Sequence, residues 1–214
     1  MAELPRFSRR TALKAALGGL AATAAGVLPA ATPTQTAGPF FPKKDQPDKD
    51  LDLTRIDGHA KAAQGEVHVI EGRVMDENGE PVADALVDVW QANRHGRYDH
   101  EADPNPAPLD PDFQGWARLR TDAEGRYRLR TIKPGAYPVE AEWSRPPHVH
   151  FKVARRGFHE LTTQMYFAGD PLNDVDRLLL AIPEGERPKL VVAFTPATAG
   201  APAKGVFDIV LKRV

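Results

Sequence analysis

The chain has 214 residues, with 28 Lys and Arg against 29 Asp and Glu and a formal net charge of −1. That length suffices for one domain with its own core. The near-balance of charge, with no Lys/Arg run interleaved with aromatics, argues against a nucleic-acid partner. Cysteine is absent, so disulfides, thiolate nucleophiles and thiolate metal sites are excluded.

The N-terminus carries the paired arginines of Ser8-Arg9-Arg10-Thr11-Ala12-Leu13-Lys14, followed by an uncharged Ala/Gly/Leu run from Ala15 to Ala31. A basic stretch, an apolar stretch and small residues at a cut make a signal peptide, and twin arginines point to the Tat route. Residues 1–30 are therefore read as a Tat-type signal, and the protein as periplasmic or secreted. The alternative, a retained membrane anchor, has a run just short of a normal span and diluted by glycine and alanine. No stable membrane span is expected once the signal is removed. Removal leaves the mature chain at about −4.

Residues 31–64 form a proline-rich arm, beginning Thr32-Pro33-Thr34-Gln35-Thr36-Ala37-Gly38-Pro39-Phe40-Phe41-Pro42. So much proline forbids regular structure, and Phe40 and Phe41 are expected to pack back onto the domain. From residue 65 to 214 the pattern is β. Glu66–Met75 alternates, Asp76–Pro81 turns at Asn78-Gly79, and Ala85–Gln91 alternates again, which predicts a hairpin. Trp116–Thr121 and Arg126–Thr131, joined through Asp122–Gly125, predict a second hairpin. Strands are expected at His148–Ala154, Leu161–Phe167, Leu190–Phe194 and Val206–Lys212, and a helix only over Asn173–Leu180. About eight short strands predict an all-β, antiparallel β-sandwich. The loop Asp99–Gln114 holds four prolines, and structureless loops of that length are usually functional or mobile.

Chemistry concentrates in Arg145-Pro146-Pro147-His148-Val149-His150-Phe151. On a strand, His148 and His150 share one face with Val149 opposed, and two imidazoles on one face can hold a transition metal. Tyr98 and Tyr137 sit in the turns Gly96-Arg97-Tyr98 and Pro134-Gly135-Ala136-Tyr137-Pro138. Two neutral nitrogens and two phenolates suit a small, hard, trivalent ion, above all ferric iron. Each motif alone has a plainer reading. Alternating polar residues are ordinary on half-exposed strands, a turn tyrosine often packs as a corner residue, and Arg145 has Glu140 and Glu142 nearby as ion-pair partners. A ferrous site of two histidines and one carboxylate would need an Asp or Glu that H-x-H does not itself supply.

These stretches, with Asn93–His100, Leu109–Phe113, Thr131–Pro138 and Thr163–Phe167, resemble the intradiol ring-cleavage dioxygenases, the protocatechuate 3,4-dioxygenase branch most closely. The resemblance runs from about Thr36 to Asp170. It implies non-haem Fe(3+) held by Tyr98, Tyr137, His148 and His150, with Tyr137 as the ligand that leaves when a catechol chelates. It implies that Arg145 stabilises charge on the bound ring, that Gln164 lies just behind the ligands, and that Thr36, Gly38 and Pro39 wall the substrate cavity. The implied partners are a small aromatic diol and O2, and oligomers of the sandwich are common in the family. Three positions depart from the protocatechuate pattern. Val139 stands where tryptophan is found, Phe40 replaces a tyrosine, and the Tyr137–His148 segment is short. All three touch the pocket, so a relaxed substrate range is expected. The rival reading is a non-catalytic sandwich of the transthyretin-like or carboxypeptidase-regulatory type. Glu71-Gly72-Arg73-Val74 and Ala85–Trp90 fit it equally, but it needs no Tyr, Tyr, His, His set.

Overall fold

Alternation of apolar and polar residues decides the strands. Arg126–Ile132 buries every second side chain as far as Thr131, with its arginines outward and Tyr127, Leu129 and Thr131 inward. Our computed structural model describes residues 29–44, 46, 48 and 50–214. All but the last two residues of the expected export signal lie outside that range. Among the described residues no helix is long and apolar enough to cross a membrane.

In chain order the strands are β1 (Val67–Asp76), β2 (Leu86–Trp90), β3 (Trp116–Arg120), β4 (Arg126–Ile132), β5 (Tyr137–Glu140), β6 (Trp143–Arg145), β7 (His148–Ala154), β8 (Leu161–Phe167), β9 (Val191–Val192), β10 (Phe194–Thr195), β11 (Ala203–Val206) and β12 (Ile209–Leu211). The first sheet runs β10-β11-β1-β12, with β4 also on β1; the second runs β3-β2-β7-β8-β9. β5 and β6 form a separate two-stranded hairpin. The expected β-sandwich is present. Most neighbours are antiparallel, but β11 and β12 both run parallel to β1, and β9 runs parallel to β8.

Neither predicted hairpin forms a ladder. Both turns exist, with Gly79 N–H donating to the Asp76 carbonyl and Gly125 N–H to that of Asp122. Yet β1 and β2 lie in opposite sheets, as do β3 and β4. After Asn78-Gly79 the chain makes one bridge, Met75 to Pro81. Pro81 has no N–H to extend a ladder, and Asp84, at φ 56°, turns the chain across the sandwich. At the second crossing the Thr121 hydroxyl accepts from Ala85 N–H and donates to the Val82 carbonyl. Gly125 is pressed on β1, where an added Cβ would sit 2.4 Å from the Val74 carbonyl oxygen. Both turns are arches between layers.

The predicted helix is broken. Pro171–Asp174 is a 3₁₀ turn, and α1 covers only Arg177–Leu180. The break falls at Asp176, whose extended backbone (φ −72°, ψ 112°) caps α1. A further 3₁₀ segment, Glu184–Lys189, was not expected. The stretch Leu190–Phe194 splits into β9 and β10, which belong to different sheets.

The main core lies between the sheets. Ile70, Val74 and Leu129 from one side meet Val87, Val89, Phe151, Val153 and Met165 from the other, all at most 1% exposed. Val149 belongs to this core too. That fixes the register of β7, because burying Val149, Phe151 and Val153 inward turns His148 and His150 to the outer face of the second sheet.

Candidate metal centre and substrate cavity

The site is built on that outer face. Strand pairing sets Trp116, Trp90, His150 and Gln164 opposite one another across β3, β2, β7 and β8, with His148 opposite Tyr166 one step along. Such a polar row would normally face water. Here it is roofed by the arm and by two loops, so that His148 and His150 are 2% and 3% exposed. The arm is laced down by backbone and side-chain bonds. Gln35 N–H donates to the Thr162 carbonyl, the Thr163 hydroxyl to that of Pro33, and Gln164 Nε2 to that of Thr36. Phe40 packs on Tyr98 at 4.8 Å between ring centroids, and Phe41 meets Trp90 edge-on at 4.9 Å, as expected from the sequence.

Two glycines bring the tyrosine loops together. An added Cβ on Gly96 would lie 2.3 Å from the Ala136 carbonyl oxygen, and one on Gly135 would lie 2.5 Å from the Arg94 carbonyl oxygen. Gly135 N–H donates to the Asn93 carbonyl across this seam. The close approach places the Tyr98 and Tyr137 rings 5.8 Å apart at 86°. Tyr98 Oη stands 3.3 Å from His148 Nε2 and 3.2 Å from His150 Nε2. The four residues singled out in the sequence therefore converge.

The loop Asp99–Gln114 is ordered by its own bonds. Asp103 accepts from Tyr98 N–H at 2.7 Å, Asn93 Nδ2 donates to the Pro108 carbonyl, and Arg97 Nη1 to that of Ala107.

The donor set fits a hard cation. His148 Nδ1 is 2.7 Å from the Pro146 carbonyl, which fixes Nδ1 as the protonated nitrogen and leaves the Nε2 lone pair facing Tyr98. Burial, then the Arg145 charge and His150, holds the His148 pKa well below its ordinary value. Burial and Arg145 push His150 down to about 3. Both imidazoles are thus neutral near pH 7 and free to donate electron pairs. Burial pushes the Tyr98 and Tyr137 phenols up, so ionised tyrosines here require a neighbouring cation. Among the described residues no three His, Asp or Glu side chains form a metal cage, which leaves the two-histidine, one-carboxylate reading without its carboxylate.

Beside the four lies a cavity of about 730 Å³. Thr36, Gly38, Pro39 and Phe40 wall it on one side and Pro138, Val139 and Trp143 on the other, with Tyr137, Arg145 and His150 at its base. Tyr98, His148 and Gln164 stand behind these. Neither Glu140 nor Glu142 pairs with Arg145. Glu140 binds Arg177, and Arg145 binds Asp176, Nε to Oδ1 at 2.8 Å. Arg145 Nη2 also donates to Gln164 Oε1 at 2.7 Å and Tyr166 Oη at 3.0 Å. Burial alone would lower the Arg145 pKa, but Tyr166, Asp176 and Tyr137 outweigh it and raise it.

A family model described as "Dioxygenase" (Dioxygenase_C) matches residues 36–213. The chain belongs to the intradiol ring-cleavage dioxygenases. It is 47% identical over 180 residues to the protocatechuate 3,4-dioxygenase beta chain of Burkholderia cepacia, covering 81% of this chain and 76% of that one. It is 39% identical over 132 residues to catechol 1,2-dioxygenase 2 of Acinetobacter lwoffii, covering 54% of this chain and 46% of the relative. The crystal structure of 3-chlorocatechol 1,2-dioxygenase from Rhodococcus opacus 1CP superposes with a TM-score of 0.68 at 28% identity, covering 86% of this chain and 73% of that one.

Sequence reasoning missed Asp176, Tyr166, Gln35 and Trp143. Tyr166 was within reach, since it shares the face of Gln164 on a strand that pairs with H-x-H. Asp176 showed only as an Asp before Arg177-Leu178-Leu179-Leu180, an ordinary helix-cap pattern.

Proposed function

We propose that this dioxygenase holds one ferric iron through Tyr98, Tyr137, His148 and His150. With it the enzyme opens catechol-type rings between the two hydroxyl-bearing carbons. Both atoms of O2 enter the product, the carbon–carbon bond between those carbons breaks, and each carbon becomes a carboxyl group of a cis,cis-muconate. The observation that carries this reading is the convergence of two neutral imidazole Nε2 atoms and two phenols beside a walled cavity. A transthyretin-like binding module has no use for that set.

A ferric ion held by these four residues would supply Lewis acidity, lowering the proton affinity of a catechol's hydroxyls. The chain's residues do the rest. His148 and His150 would offer the ion Nε2, with His148 kept in the right tautomer by Pro146. Tyr98, 3% exposed under Phe40, is the fixed phenolate. Tyr137 lines the cavity and would be the ligand that gives way to substrate, its oxygen taking a proton from one catechol hydroxyl. Arg145 keeps its charge at any working pH and stabilises negative charge on the ring and on the nascent carboxylates. The arm and the β5–β6 hairpin enclose the ring and limit water. The partners are an aromatic diol and O2.

We also propose that Arg9-Arg10 direct Tat export to the periplasm or beyond, motivated by the uncharged run that follows them. Replacing both by lysine should leave the precursor in the cytoplasm, and unchanged export would refute it.

The deciding experiment combines iron analysis, the visible spectrum and product identification. Purified protein should carry about one iron per chain and a broad visible tyrosinate-to-iron band, by the donor set above. Catechol should yield cis,cis-muconate. A colourless protein that stays inactive after iron loading would refute the reading, as would a ring-opened semialdehyde product.

A further inference from the structure

Asp176 is 0% exposed, and its two oxygens accept from four donors on three residues, the Leu179 N–H of its own turn among them. Oδ1 accepts from Arg145 Nε at 2.8 Å and Trp143 Nε1 at 3.3 Å. Oδ2 accepts from Arg145 Nη2 at 3.3 Å and from Leu179 N–H at 3.1 Å. That fills the roughly four lone-pair sites of a carboxylate. A four-residue helix does not call for so much. Nor does stability, because a buried ion pair is often no better than an apolar pair of the same size.

The arrangement has a geometric result. Asp176 grips the guanidinium along its Nε–Nη2 edge, the side-on form of a bidentate pair. Gln164 and Tyr166 bind the same Nη2. Nη1 receives none of these bonds, and Arg145 lines the cavity. The plane of the guanidinium and its free corner are thereby set from behind.

We propose that Asp176 is a positioning residue that fixes Arg145 with Nη1 toward the bound ring. This rests on the ring-cleavage reading above. It assigns Asp176 no contact with substrate. Its effect on turnover passes through Arg145, which it grips along the Nε–Nη2 edge.

The test is a double-mutant cycle on iron-loaded enzyme, read by turnover, by anaerobic catechol titration and by thermal melting. Asp176→Asn keeps the shape and loses the charge and half the fork. Its kcat should fall on the order of tenfold or more, as expected when a charged transition-state contact is misaligned. Catechol affinity should change far less. Arg145→Met should be slower still, and Arg145→Met/Asp176→Leu, an apolar replacement of the pair, should fold and match Arg145→Met alone. Asp176→Glu should recover part of the loss. Wild-type turnover in Asp176→Asn would overturn the proposal, and so would a further loss when Asp176→Leu is added to Arg145→Met. If Asp176→Asn fails to fold, the comparison between Arg145→Met and the double variant decides alone. Absence of muconate from the wild-type enzyme would refute the ring-cleavage reading instead.

Discussion

The two faces of the second sheet are made by the same strands and obey different rules. On the inner face, Val87, Val89, Val149, Phe151 and Val153 bury apolar surface against the first sheet. On the outer face, His148, His150, Gln164 and Tyr166 are as deeply buried, yet they are polar. An inner residue is held by area removed from water. An outer one is held by a roof that the strands do not supply, made of the arm, the tyrosine loops and the β5–β6 hairpin. Burial alone therefore does not tell fold from function in this protein. The sign is a buried polar row whose lone pairs face one another.

The largest expected effects come from opposite residues of β7. Phe151→Ala should cost about 3–5 kcal/mol of stability while the folded fraction keeps its iron. His150→Ala should lose the metal and all ring cleavage with a much smaller loss of stability. Melting curves and iron per folded chain separate the two. Iron retained at the wild-type level by His150→Ala would break the comparison. Next comes Tyr137→Phe, which removes a donor from the roof and leaves the sheet intact. It should keep iron, bind catechol more slowly and turn over on the order of tenfold or more slower, the usual scale for losing a proton acceptor. Stopped-flow binding at the wild-type rate would mean that Tyr137 does not yield its place.

A smaller effect is expected at the cavity wall. Val139 is 47% exposed there, at the position where the resemblance read from the sequence expects tryptophan. The structure places Trp143 on the same wall, so some of the bulk missing at 139 comes from β6. Val139→Trp should leave kcat/KM for catechol within about threefold and lower it about tenfold for 4-methylcatechol, since filling an apolar pocket changes selectivity by modest factors. Equal change for both substrates would show that position 139 does not sense the ring substituent.

Residue types and alternation made His148, His150 and the inner face of β7 legible in the sequence. Turn glycines marked the loops that carry Tyr98 and Tyr137. Turn chemistry did not reveal which strands pair. Asn78-Gly79 and Glu124-Gly125 specify a reversal, but Pro81, Asp84 and Thr121 send the chain across the sandwich. The helix was overextended because apolar residues from Val175 onward mask the break at Asp176. That residue's role was invisible, because its partner Arg145 is 31 positions away and lies on a hairpin too short to show a strand pattern. Long-range polar pairs leave no period to read.

The smallest expected effect on function comes from a buried carboxylate far from the roof. Asp76, at the end of β1, is fully buried, accepts from the N–H groups of Asn78 and Glu80, and pairs with Arg213 near the C-terminus. Burial by itself would raise its pKa, but Arg213 and the two N–H groups outweigh it and hold the value below the usual carboxylate range. A depressed folded pKa means that the ionised form stabilises the fold above about pH 4, the unfolded value. This contribution disappears as pH falls through the lower folded value. Asp76→Asn should therefore lower the melting temperature most near pH 7, and the gap to wild type should narrow steadily below pH 4. Iron content and kcat at neutral pH should stay unchanged. A gap of constant size from pH 7 to pH 3 would show that Asp76 stabilises β1 by hydrogen bonding alone, with no contribution from its charge.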